Sequence, residues 1–371
     1  AMAERPAPEI QRTALEATCL QTCAMVQDGV AQFLGRAMDP PAADAVSFAV
    51  DRLVKLGALR VEDDTPGSGE VLTPLGRTLS KFPLDPATGR MLVMGVVMGC
   101  LDPVVTAAAC FSSRSTFYNP PGLRDQAQDI RKSFSSSSDT VAQIRAYNEF
   151  WYIENGRGWN SACSWAKENY VSIAAMISIK AVRSQLLDEL KKIGLIDGYD
   201  LERVGYKKYA LRSDAMANRN ADNELLHTAV LASGLPGNIS SRRQLGSFGT
   251  LRTRTESHAG LHPSSVTFHR KPPKGVKLPS WYLYREMVLS SQVFLRECTT
   301  MTPEQLVLFG GYSLDSLKNQ HSASGYMHSI NVLDNWIVAE SQCDDTISVL
   351  TSARQDINAA LEYKAMHPRA P

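Results

Sequence analysis

The residues VLTPLGRTLSKFPLDPATGRMLVMGVVMGCLDPVVTAAACFSSR, Val71 to Arg114, decide how this chain folds. Val71 and Leu72 read as the end of a short strand. Thr73-Pro74 is a helix start: a hydroxyl able to take a backbone N–H, then a proline whose missing N–H costs nothing in a first turn. Leu75, Thr78 and Leu79 give that helix one apolar face before Pro83. After Asp85-Pro86, the residues Met91, Leu92, Val93, Val96 and Val97 start a nearly all-apolar helix, and Asp102-Pro103 starts the next. A strand–helix unit therefore runs directly into a helical bundle.

Working upstream, Leu15, Cys19, Leu20, Cys23 and Val26 keep the three-and-four spacing of an amphipathic helix over residues 12–26. A second helix over 44–56 turns Val46, Ala49, Val50, Leu53 and Leu56 inward and stops at Gly57. Two short strands, Leu59 to Glu62 and Glu70 to Leu72, flank the turn-forming run Thr65-Pro66-Gly67-Ser68-Gly69. Helix, helix, hairpin is the order of a winged helix.

Downstream, a polar segment, Asn119 to Ser138, precedes a helix from Asp139, whose carboxylate is expected to cap it. Trp151, Tyr152, Trp159 and Trp165 lie among apolar residues and read as core. The longest helix, Val171 to Ile193, carries a basic face (Lys180, Arg183, Lys191, Lys192) that reads as solvated. From Gly237 to Ile337 short alternating strands dominate, with a helix starting at Thr302-Pro303, and an OB-fold barrel fits this pattern. The expected fold class is α+β and multidomain. Residues 1–11 are expected to be a tail in which Ala1-Met2 looks like an expression scar, 12–84 the winged helix and 85–198 the helical bundle; 199–221 is expected as a linker, 222–342 as the OB-fold with a leading helix, and 343–371 as a closing helix and tail.

With 371 residues and 44% hydrophobic content the chain can bury several cores. Its net charge of +1 assigns any nucleic-acid surface to local segregation of charge. Seven scattered cysteines with no CxxC pair or zinc spacing read as reduced thiols of an intracellular compartment, and Cys19 and Cys23 as a core face. Asp102-Pro103 cuts the longest apolar run too short to span a bilayer, so no membrane association is expected.

No GxxxxGK[ST] loop, DEAH-like box or Rossmann glycine pattern occurs, so no catalytic, cofactor or metal site is expected within this chain. The positive signal is basic. Between Ser240 and Arg285 stand Arg242, Arg243, Arg252, Arg254, Arg270, Lys271, Lys274, Lys277 and Arg285 against one acid, Glu256. Phe248, His258, His262, Phe268, His269, Trp281 and Tyr282 are interleaved, the mixture of cations and flat rings that binds single-stranded nucleic acid.

The chain resembles the C-terminal region of DEAH/RHA-type RNA helicases over nearly its whole length. Carrying the likeness are PEIQRTALEATCLQ, FLGRAMDPPAADAVSFAVDRLVKLGAL, TPLGR, FPLDP and GCLDP, followed by AYNEFW, AKENYVS, VRSQLLDELKKIGLI, LHPSSVTFH and PSWYLYREMVLSSQVFLRECTTMTPEQLVLFGG. The resemblance implies a winged-helix, ratchet and OB-fold module beside the RNA channel of an ATP-dependent helicase moving 3′-to-5′. It places two RecA-like domains, with their ATP and magnesium, before residue 1. It implies RNA contacts at His262, Ser264 and Ser265, with Arg252, Arg254 and His258 on the preceding loop, and a channel-facing Arg114. Two departures stand out: Leu289 replaces a usual cation, and Thr116 replaces the proline of an RxPF turn, leaving that turn less fixed. Single-stranded RNA binding and the docking of a protein cofactor or activator on the winged-helix or OB surface both stay open.

Overall fold

Thr73 behaves as its neighbours require: its Oγ1 accepts the Gly76 N–H at 3.0 Å and donates to Gly57 O at 2.6 Å. The computed structural model describes residues 8–26, 29–61, 69–205, 208–235, 237–242, 250–270, 278–311, 328–332, 336–341 and 343–370. The first unit comprises α1 (Glu16–Met25), α2 (Val30–Leu34), α3 (Ala43–Lys55), the antiparallel pair β1 (Leu59–Val61) and β2 (Glu70–Leu72), and α4 (Pro74–Leu79). Gly76 lets α4 sit on this hairpin, since a Cβ there would lie 2.0 Å from Ala58 O. This is a winged helix. Arg52, one of two cations on α3, is tied to Glu16 at 2.7 Å, which leaves that helix poorly equipped to read DNA.

The ratchet follows as α5 (Pro86–Val97), α6 (Leu101–Phe111), α7 (Arg124–Phe134), α8 (Asp139–Arg157), α9 (Trp159–Glu168) and α10 (Ile173–Ile193). Asp85 caps α5 by accepting the Thr88 N–H at 3.1 Å. Met91, Leu92, Val93, Leu101, Val104 and Val105 are wholly buried, each contributing roughly 1.5–3 kcal/mol. Cys100 lies in the same interior and Cys110 in a second apolar cluster around Phe150 and Met176, and burial pushes both thiols up to about 12.

The structure differs from the sequence reading at several places. Residues 119–138 include a full helix, α7, whose inward spacing of Ala127, Arg131 and Phe134 is masked by polar neighbours. The basic face of α10 is only half solvated: Lys191 and Lys192 are exposed, whereas Arg183 is buried on Asp102 at 2.6 Å and Lys180 is bonded to Glu154 at 2.8 Å. Among the aromatics, Trp165 packs on Phe134, but Tyr152 is exposed. The stretch expected as a linker forms the hairpin β3 (Leu201–Gly205) and β4 (Lys208–Leu211). It also sends Asn220 onto the α5–α6 turn, with N–H to Gly99 O at 2.6 Å and Nδ2 to Met98 O at 2.8 Å. A hairpin secured by bonds to another element leaves no period in its own residues.

The last unit opens with α11 (Glu224–Gly234) and contains β5 (Ile239–Arg242), β6 (Leu251–Arg252), β7 (Gly260–Leu261), β8 (Trp281–Leu289) and β9 (Val293–Met301). These form one sheet in the order β6-β5-β8-β9-β7, antiparallel except for β7 on β9. Paired N–H···O bonds between Leu251 and Ala259, at 3.0 and 2.8 Å, bring the two ends together, so the sheet nearly closes into a barrel around Leu251, Ala259, Tyr282, Tyr284, Leu295 and Cys298. Next come α12 (Pro303–Phe309), a separate hairpin β10 (His328–Val332) and β11 (Ile337–Ser341), and α13 (Asp344–Met366). The hairpin β10–β11, within the stretch expected to be barrel, thus stands apart from the five-stranded sheet. Helix α13 packs on α12, α5 and α4. Its Arg354, 2% exposed, donates to the carbonyls of Val307, Gly310 and Gly311 at 2.7–2.9 Å. The closing helix therefore ties the OB side back to the winged helix.

Candidate nucleic-acid interface

The loop from His262 to Phe268, after β7, is folded on itself and gripped from behind. His262 N–H donates to Leu295 O of β9 at 2.9 Å, and Ser265 and Phe268 N–H close turns onto His262 O and Ser265 O. The ratchet supplies the remaining holds. On α7, Gln128 Nε2 donates to Ser265 O at 2.7 Å, Lys132 Nζ to Phe268 O at 2.9 Å, and Arg131 to Ser264 O. At the start of α8, the Asp139 carboxylate accepts the Val266 and Cys298 N–H groups, each at 2.8 Å, and the Ser265 hydroxyl.

The expected cap role of Asp139 belongs instead to Ser138, whose hydroxyl accepts the Val141 N–H at 3.1 Å and lies 2.7 Å from Thr299 Oγ1 of β9. Asp139 is buried, which pushes its carboxyl above the usual range against the pull of its three hydrogen bonds and Arg131. Arg131 is buried as well, its guanidinium 5.0 Å from the Phe117 ring centroid. Behind the loop lies a polar seam between ratchet and barrel.

In front of it lies a groove of about 810 Å³ lined by Asn119, Arg124, Asp125, Asp129, Lys132, His262, Ser264 and Arg270. His262 Nδ1 accepts the Ser264 N–H at 3.1 Å, so the neutral ring carries its proton on Nε2 and is a donor there. Burial, Arg296 and Arg131 hold this imidazole below the ordinary histidine range. Phe268 also borders a second groove of about 300 Å³, lined by Arg242, His258, His269, Gln292 and Phe294. His269 is likewise held low, by burial, Lys132 and Arg242. The two grooves share Phe268 in their linings, and each carries at least one cation and at least one imidazole.

Comparison with known proteins agrees with this layout. Residues 49–84 match the winged-helix part of the helicase associated domain (HA2), residues 85–151 its ratchet-like part, and residues 228–312 an oligonucleotide/oligosaccharide-binding (OB)-fold. The chain belongs to the C-terminal region of DEAH/RHA-type helicases. Mouse ATP-dependent DNA/RNA helicase DHX36 is 29% identical over 373 residues, covering 97% of this chain and 34% of that protein. Xenopus laevis ATP-dependent RNA helicase dhx29 is 29% identical, covering 99% of this chain and 25% of that protein. Arabidopsis DExH-box ATP-dependent RNA helicase DExH1 is 30% identical, covering 88% and 31%. The chain spans about a third or less of the length of these relatives.

Within this helicase module the residues expected to touch RNA separate. His262, Ser264 and Arg270 meet in the larger groove, and His258 lines the smaller one. Ser265 lines neither groove: it is 1% exposed and its hydroxyl is given to Asp139, which corrects its expected role. Arg252 is half-buried with its guanidinium 5.6 Å from the Trp336 ring centroid, and neither it nor the exposed Arg254 lines either groove. Arg114 is exposed beyond α6 and lines neither groove. Lys271 lies outside the described residues, as do Phe248, Arg243, Lys274 and Lys277. Arg285, counted among the basic residues, is bonded to Glu297 at 2.8 Å and to the Phe111 carbonyl, in the seam.

The Thr116 turn is secured without proline, since Thr116 O accepts the Ser172 N–H at 2.8 Å and Tyr118 N–H reaches Tyr170 O at 3.0 Å. Leu289 is 78% exposed at the tip of the β8–β9 hairpin. Sequence reasoning missed Arg124, Gln128 and Lys132; the helical spacing of Ala127, Arg131 and Phe134 was the signal that would have placed them on one helix. Among the described residues no group of three or more His, Cys, Asp or Glu is placed to hold a metal ion, and no helix is long and apolar enough to cross a membrane.

Proposed function

We propose that this chain is the accessory module of an ATP-dependent RNA helicase that moves 3′-to-5′, and that single-stranded RNA runs along a track formed by these two grooves at the ratchet–OB seam. The observation that carries this reading is the joining of His262, Ser264, Arg124 and Arg270 in one groove that shares Phe268 with the groove of His258 and His269. Arg124 and Arg270 supply phosphate contacts, Phe268 a stacking surface, and the Nε2–H of His262 a neutral donor to phosphate or ribose. RecA-like domains, with ATP and magnesium, are the partners that drive movement; the track itself needs no chemistry beyond binding.

Fluorescence anisotropy with single-stranded RNA across a salt series tests this. Binding should weaken steeply with salt, and Arg124→Ala with Arg270→Ala should flatten the slope by about 1.4, roughly 0.7 for each phosphate deprived of its cation. Absence of binding at low salt, or a slope unchanged in the double variant, rejects the reading.

A second reading, docking of a protein cofactor on the OB surface, is favoured by Met287 and Leu289, two residues apart on β8 and 42% and 78% exposed. A pull-down in which Leu289→Asp loses a partner retained by the wild-type chain would support it; retention of every partner by the variant would remove it.

A further inference from the structure

We infer that Asp139 is a positioning residue of the ratchet that sets the shape of the OB loop His262–Phe268, so that the nucleic-acid groove belongs to two domains and not to the barrel alone. This rests on the RNA reading above for its effect on affinity, though not for its effect on the loop. Among the described residues the loop makes one backbone bond to the barrel, His262 N–H to Leu295 O at 2.9 Å. Against that, the ratchet holds it at Ser264 O, Ser265 O and Phe268 O through Arg131, Gln128 and Lys132. Asp139 adds two further holds, on Val266 N–H and Ser265 Oγ. Its third bond, from Cys298 N–H at 2.8 Å, reaches β9. One carboxylate therefore fixes both the loop and the strand behind it.

Beside that bond β9 departs from regular pairing. Glu297 has φ +52°, a left-handed conformation rare for a residue with a Cβ, and the Arg285–Glu297 position is missing from the β8–β9 ladder although the register is the same on either side of it. Next to this left-handed residue Cys298 N–H donates to Asp139 at 2.8 Å, while Arg285 holds the Glu297 side chain at 2.8 Å. A local irregularity of the strand is thus matched to one acidic residue of another domain. Neutral asparagine at this position keeps the size but offers one acceptor oxygen where two now serve three donors, and it brings an N–H₂ toward N–H groups.

The test is Asp139→Asn in the full chain, beside a core variant remote from the seam, Val93→Ala. Asp139→Asn should weaken single-stranded RNA binding by about tenfold, the scale of removing one charge-assisted hydrogen bond. The line of log affinity against log salt should shift in parallel, because no phosphate-binding cation is removed. Val93→Ala should lower thermal stability and leave affinity unchanged, which separates positioning from general destabilisation. Amide exchange at Val266 and Phe268 should quicken by about tenfold or more in Asp139→Asn only.

Affinity within twofold of wild type together with unchanged exchange at Val266 overturns the inference. Should Asp139→Asn fail to fold, Ser265→Ala decides in its place, since it removes one buried hydroxyl from the same carboxylate. Faster exchange at Val266 with weaker binding supports the inference, and wild-type values of both overturn it. If the wild-type chain binds no single-stranded RNA, the RNA reading fails, while exchange at Val266 still decides the positioning role.

Discussion

The rim of the groove and the seam behind it are built from the same residue types and use them in opposite ways. Ser264 lies on the rim, partnered by the His262 ring, while its neighbour Ser265 is buried with its hydroxyl on Asp139. Arg124 and Arg270 stand exposed along the groove, whereas Arg131 and Arg285 give their guanidinium groups to carbonyls and a carboxylate of the protein itself. The difference is one of alternatives. A rim cation leaves water for a phosphate at little cost, but a seam cation is already desolvated, and its removal strands the acceptors it satisfied. Charge counted along a chain therefore overstates what is available to a ligand.

The comparison breaks most visibly at Arg131. Arg131→Met keeps most of the volume but deprives Ser264 O and Asn119 Oδ1 of their donor. Stability by urea denaturation should fall by about 3 kcal/mol. A loss below about 0.5 kcal/mol would mean that the seam is as dispensable as the rim.

Acid should weaken the chain at another buried group, on α11. His227 on α11 is buried near Arg145 of α8, and burial, then that arginine, lower its pKa from 6.5 to about 4. The ring is neutral in the folded chain and takes a proton only on unfolding. Stability is thus untouched above pH 6.5 and falls as pH drops through 6.5 toward about 4, reaching a loss of about 3 kcal/mol at the bottom of that window. His227→Phe should flatten this part of the pH–stability curve measured by denaturation; an identical curve would exclude His227 as the cause.

The rim gives the converse. Arg124→Ala with Arg270→Ala should lower RNA affinity by about tenfold at physiological salt while shifting stability by less than about 0.5 kcal/mol. A stability loss matching that of Arg131→Met would place these arginines in the seam class. The smallest effect belongs to Leu289→Ser at the exposed hairpin tip, expected within about 0.5 kcal/mol of wild type by thermal denaturation.

Much of the fold was legible because its signals are local. Thr73-Pro74 and Asp85-Pro86 start helices by contacts within three residues, and the structure shows both caps. The run from Met91 to Val97 is apolar on nearly every side because α5 meets the winged helix, the ratchet, α11 and α13 at once. Less was legible at the site. The hydrogen bond from Ser265 to Asp139 joins residues 126 apart, and Asp139 followed by Thr140 looks like an ordinary helix start. The α7 cations stood in a segment whose polarity hid its helical spacing. The basic count from Ser240 to Arg285 included Arg285, which serves the seam.

By itself, then, the sequence determined the order of winged helix, ratchet and OB-fold and the starts of the helices that join them. These follow from periodicity, capping and turn chemistry, which act over a few residues. Only the tertiary structure decided which serines and arginines face the groove and which hold the two domains together. Whether a polar side chain meets solvent or a buried partner depends on residues more than a hundred positions away, which no local pattern records.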